Sequence, residues 1–227
     1  MPSGDTPGWH MTYSQDFNGS NLPPDWGAYS GEPGGDSNGW WDPSNLTVSG
    51  GYLHFNGRYD SSVHRYSTAG VSFGGKDQTY GMYLVRMKGD YAPGVAISDI
   101  ALLWPAGDGW PPEIDFYEDS GGTRSSMAAT LHPGPNGDDC CQIQHSHGLN
   151  ATLWHTVGVQ WTPTTVSYIV DGNVWATVMA SQLSGGAHWP AQAMSLDLQA
   201  QNLDSNYPSG PTENMTVDWV AEYTPAG

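Results

Sequence analysis

The chain has 227 residues, with six Lys and Arg against 23 Asp and Glu, giving a formal charge of −17. That charge excludes nucleic acid and anionic membranes as natural partners, since both would repel it, and it favours a neutral ligand such as a sugar. No run of 18 apolar residues occurs, so no membrane-spanning helix is expected. Eleven Trp and twelve Tyr are unusually many and suit carbohydrate recognition. The opening "MPSGDTPGWH" lacks the basic and apolar regions of a secretory signal, and the chain is read as the mature form of a secreted protein. Its length suits one all-β domain over residues 1–227.

In chain order, short β-like runs alternate with turn clusters, and the helical period is nearly absent. "SGEPGGDSNG" (30–39) is a Gly-rich loop leading into Trp40 and Trp41. "NLTVSGGYLHFNG" reads as two strands around a Ser-Gly-Gly turn. "TYGMYLVRMKG" sets Tyr83, Val85 and Met87 on one face and Leu84, Arg86 and Lys88 on the other. The segment 132–148, "HPGPNGDDCCQIQHSHG", reads as a long loop of the kind that often binds ligands. "HTVGVQWTPTTVSYIVDGNVWATV" reads as a three-strand meander with turns at Thr162-Pro163 and Asp171-Gly172-Asn173. "AMSLDLQAQ" and "MTVDWVAEY" are the last strands. The pattern predicts an antiparallel β-jelly-roll sandwich.

The stretch "WPPEIDFYED" places two of the chain's five glutamates, Glu113 and Glu118, around Asp115 in an apolar strand. Strand alternation puts Glu113 and Asp115 on one face and Glu118 on the other. A bulge at Phe116-Tyr117 would return Glu118 to the shared face. Three like charges held close together are costly. Their chemical use is glycoside hydrolysis by a carboxylate nucleophile and a carboxylic acid, about 5–5.5 Å apart in a retaining enzyme. Coupling between them would raise one pKa and produce the acid, with Asp115 relaying it.

Sugar rings stack on aromatic faces, and Trp40, Trp41, Trp110 and Trp189 are candidate platforms because they sit beside Gly, Pro or Asp; for Trp40 and Trp41 core packing is the equal alternative. Trp154, Trp161, Trp175 and Trp219 lie in alternating strands and belong to the core or the back face. The "DDCCQIQHSH" segment holds metal-capable groups, but its spacing is not that of a structural zinc site. A vicinal disulfide between Cys140 and Cys141 would stiffen it locally.

"WPPEIDFYED" resembles the signature of glycoside hydrolase family 16 in its bulged, laminarinase-like form. The likeness runs in order through "YSQDFNGSNLPPDW", "NLTVSGGYLHF", "TYGMYLVRMKG", "ALLWP", "TLHPG", the meander and "MTVDWVAEY". It implies a concave cleft, with Glu113 as nucleophile, Asp115 as assisting acid and Glu118 as acid/base. It implies that Trp104 and Trp110 lie near the cleavage subsite and that His132 lies in the cleft near the acid/base. It also implies a structural Ca²⁺ held by Asp218, with Asp16 and Gly51 near the positions that supply other oxygens; no cofactor is needed for catalysis. Departures occur at Val71, at Ile100, in "LQAQN" (198–202, including Gln199) and at Ala221-Glu222, where sugar subsites are expected. The function read from this is retaining endo-hydrolysis of a β-1,3- or mixed β-1,3/1,4-glucan by a monomer. The alternatives are a β-galactan or other neutral polysaccharide as substrate, or a non-catalytic β-glucan-binding jelly roll.

Overall fold

The computed structural model describes residues 1–34, 36–92, 94–134 and 141–227. Its strands are β1 (Trp9–Gln15), β2 (Trp26–Ala28), β3 (Leu46–Ser49), β4 (Tyr52–Asp60), β5 (Arg65–Ser67), β6 (Gly70–Phe73), β7 (Gly81–Gly89) and β8 (Ile97–Pro105). They continue with β9 (Glu113–Glu118), β10 (Ser126–His132), β11 (Ile143–Gly148), β12 (His155–Trp161), β13 (Thr165–Val170), β14 (Asn173–Met179), β15 (Met194–Asn202) and β16 (Thr212–Pro225). The back sheet runs β14-β13-β12-β7-β16-β4-β3, with β1 beside β16 and β5 beside β4. The front sheet runs β11-β10-β9-β8-β15-β6-β2. All strand pairs are antiparallel, the arrangement of a jelly-roll sandwich.

The two sheets share one core. Tyr83, Val85 and Met87 of β7 meet Ile114, Phe116 and Tyr117 of β9 and Leu196, Leu198 and Ala200 of β15. The residues between these point the other way. Ile100 and Leu102 of β8 are buried yet lie outside the core cluster, because they face the front of the sheet. This alternation turns the outer surface of β11 to β2 into the floor of the site.

The loop expected over 132–148 is partly a strand. Residues 143–148 form β11 on the front-sheet edge, paired with β10 from Ser126↔Gly148 to Leu131↔Ile143. Gln144 and Ser146 are exposed while Ile143, His145 and His147 turn inward, and His147 stacks on Trp175 at 4.9 Å. The polar composition hid a period of two, which an edge strand needs on one face only. The expected Cys140–Cys141 disulfide lies outside the described residues, because Cys140 does.

Candidate active site

β9 carries the site because its register slips once. Against β8, Tyr117 pairs with Ala101 but Asp115 pairs with Leu102, so Phe116 is an extra residue. The ladder with β10 shifts over the same residues, from Ala128↔Glu118 to Thr130↔Asp115. The slip buries both Phe116 and Tyr117 in the core and turns Asp115 and Glu118 to the same face. Laterally paired residues share a face, so two rows cross the floor. One runs Thr130, Asp115, Leu102, Asp197 and Ser72; the other runs Ser146, Ala128, Glu118, Ile100, Gln199 and Gly70.

Glu113 is held by its neighbours. The Trp110 indole N–H donates to Glu113 Oε2 at 2.8 Å, and the Trp110 and His132 rings lie 6.2 Å apart. His132, cross-strand partner of Glu113, places Nε2 at 3.1 Å from Asp115 Oδ2. The resemblance put this His near the acid/base; its contact here is to the middle acid. Burial and the Asp115 charge push Glu113 up to about 9. Burial and the Glu118 charge push Asp115 up to about 8. Glu113 and Asp115 hydrogen-bond each other, so they titrate as one coupled pair, which burial raises. Burial raises Glu118 above the ordinary carboxylate range, against the pull of His132.

Beside β9 lies a cleft of about 410 Å³, lined among others by Tyr29, Trp41, Leu102, Trp104, Asp197 and Gln199. Its volume falls within the range of ligand sites. The acids of β9 border it across Leu102 rather than lining it. Trp41 and Gln199 line this cleft, and Trp104 joins the same wall. Trp40 instead packs under the Arg65 guanidinium, 5.8 Å from its ring centre. Trp189 does not reach this cleft. Its indole N–H donates to Thr162 O at 2.9 Å, and it lines a separate hollow with Pro111 and Pro112.

Sequence reasoning missed Asp197. This buried carboxylate on the cleft floor accepts from the Tyr29 hydroxyl, from Ser72 Oγ at 2.6 Å and from Ser195 Oγ at 3.3 Å. Burial pushes it up to about 6. Also missed was the support behind Glu118. Arg124 Nη1 donates to both oxygens of Asp119 at 2.5 and 2.6 Å and lies 2.9 Å from Asp99 Oδ2, all three side chains being buried. The Asp99 contact is an ion pair without hydrogen-bond alignment. Asp99, Asp119 and Arg124 are far apart enough in sequence that only the pairing of β8 with β9 reveals them.

The Ala221-Glu222 departure lies away from any sugar. Glu222 pairs with Tyr83 in the back sheet and is fully buried, and its burial pushes it up to about 8. Of the residues expected around a Ca²⁺, Asp218 has Oδ2 at 3.2 Å from Arg86 Nε. Asp16 is turned onto Asn18, accepting from its N at 3.3 Å and Nδ2 at 2.6 Å. Among the described residues, the acid and His side chains close enough to share an ion are Glu113, Asp115 and His132 of the site itself.

A sequence model of the glycosyl hydrolases family 16 matches residues 38–221. The chain belongs to glycosyl hydrolase family 16. It is 25% identical over 149 residues to endo-1,3-1,4-beta-glycanase ExsH of Rhizobium meliloti (strain 1021), covering 65% of this chain and 31% of that protein. It is 26% identical over 199 residues to the clotting factor G alpha subunit of Tachypleus tridentatus, covering 80% of this chain and 28% of that protein. The chain thus spans about a third of the length of these curated relatives. Its fold matches the catalytic domain of an endo-1,3-beta-glucanase (laminarinase) from Thermotoga petrophila RKU-1, with a TM-score of 0.84 at 22% identity, covering 96% of this chain and 99% of that one. No helix is long and apolar enough to cross a membrane among the described residues.

Proposed function

We propose that the chain is a retaining endo-glycosidase acting on a neutral β-glucan with β-1,3 or mixed β-1,3/1,4 linkages. The observation that carries this reading is the slip at Phe116, which sets Glu118 on the face of Asp115 beside a sugar-sized, aromatic-walled cleft. Family membership and the printed activities of the glycanase and laminarinase relatives support it.

In this mechanism the reacting form has the proton of the coupled pair on Asp115 and Glu113 ionised, with the Trp110 N–H on one of its oxygens; it competes with the form protonated on Glu113, which burial favours at least as much. Glu113 attacks the anomeric carbon as Glu118 protonates the departing glycosidic oxygen. Glu118 then takes a proton from water, which displaces Glu113 with net retention. The burial that raises Glu118 favours its protonated form, the one the first step needs. The three acids come from one strand, which suits a monomer, and a polymeric substrate suits action outside the cell. The test is reducing-sugar release from laminarin, barley mixed-linkage glucan and galactans. Release from galactan alone moves the substrate, while binding of β-glucan with no release from any polymer overturns the enzyme reading.

A further inference from the structure

The two acids flank the scissile bond along β9, so a bound polymer passes between them and crosses the strands. Toward β8 and β15 the floor offers Leu102, Ile100, Asp197 and Gln199. At β6 it ends. Gly70 stands in the Glu118 row, and a side chain there would start 2.2 Å from Tyr29 Cδ2. The Tyr29 ring therefore occupies the space above β6, which only glycine leaves open. Its hydroxyl is fixed on buried Asp197, itself fixed by Ser72. Behind it stands Trp41, with ring centres 4.8 Å apart and its indole N–H on Ala200 O at 3.2 Å.

We infer that Tyr29, anchored by Asp197 and backed by Trp41, is a wall that closes the cleft on the β6 side and limits that side to about two sugar subsites. From β9 to β6 are three strand spacings, about 14 Å, and the ring takes the last of them. A β-linked hexose advances a chain by roughly one such spacing. A longer chain must rise off the sheet at Tyr29 and gains no further contact. This explains why a carboxylate is buried in a cleft that binds a neutral polymer: it holds the wall and leaves catalysis to β9.

The inference rests on the glycosidase reading, and subsite mapping separates the two. End-labelled β-glucan oligosaccharides of two to seven residues are digested, and kcat/KM is recorded with the bond cleaved. The native chain should gain rate as the walled side fills with two residues and stay within two-fold for each residue beyond. Tyr29→Ala should restore a gain of about three-fold or more for a third residue and at least halve the disaccharide share of the products. Asp197→Asn should fall between the two. If native kcat/KM keeps climbing with a third and fourth residue on both sides, the wall is refuted whether or not Tyr29→Ala folds. Identical ladders from native protein and a folded Tyr29→Ala refute it too. If the native chain cleaves no oligosaccharide, the functional reading fails and takes the inference with it.

Discussion

The two sides of β9 are built differently. Toward β15 and β6 the floor is recessed, its polar anchor is buried, and three aromatic residues, Tyr29, Trp41 and Trp104, surround about 410 Å³. Toward β10 and β11 the matching positions are Ala128, Thr130, Gln144 and Ser146, with no aromatic ring among them. Gln144 Nε2 donates to Thr130 Oγ1 at 3.0 Å and is exposed at the sheet edge. On the glycosidase reading proposed above, the first side suits holding a sugar in a fixed pose by stacking and shape, and the second suits the departure of a leaving group and the entry of water. That reading concentrates binding energy on one side of the bond that breaks.

The largest effect should come from the acids on the dividing line. Glu113→Ala should lower kcat on laminarin by about 10⁴-fold or more, and Glu118→Ala by about 10²–10⁴-fold. Next is the support behind Glu118. Arg124→Met strands two buried carboxylates and should cost about 3–5 kcal/mol in urea unfolding. The comparison itself is tested by truncation on each side. Trp41→Ala should lower kcat/KM about ten-fold, roughly 1.4 kcal/mol, whereas Gln144→Ala should cost under about 1 kcal/mol. Equal losses would erase the asymmetry.

A subtler effect concerns pH. Activity should fall toward acid as the Glu113–Asp115 pair is protonated, with a midpoint above the ordinary carboxylate range because burial raises both acids, and fall in alkali as Glu118 loses its proton. The Asp115 charge raises Glu113, so Asp115→Asn should move the acid limb of kcat/KM to lower pH. A limb that stays in place would show that the pair is uncoupled.

Much of the dividing line was legible in the sequence. A spacing of five between Glu113 and Glu118 requires one extra residue if both are to share a face, and the register slips at Phe116. Trp41 and Gln199 were legible as cleft residues because each follows from local context or from the family's strand order. The wall was not legible. Tyr29 reaches Gly70 through the pairing of β2 with β6 and Asp197 through that of β6 with β15, and nothing near Tyr29 in sequence signals either contact. The same limit hid two contacts. Asp218 meets Arg86 across the β16–β7 pairing, and Trp189 turns to Thr162, which a linear reading does not see.

The central claim is that Glu113 is the nucleophile. It is tested most directly by incubation with an activated 2-deoxy-2-fluoro β-glucoside oligosaccharide, which slows breakdown of the glycosyl-enzyme. Peptide mass mapping then locates the covalent sugar. The account predicts one ester-linked label on Glu113, absent from Glu113→Ala. A label on Glu118 or Asp115, or turnover of β-glucan by Glu113→Ala near the native rate, would contradict it.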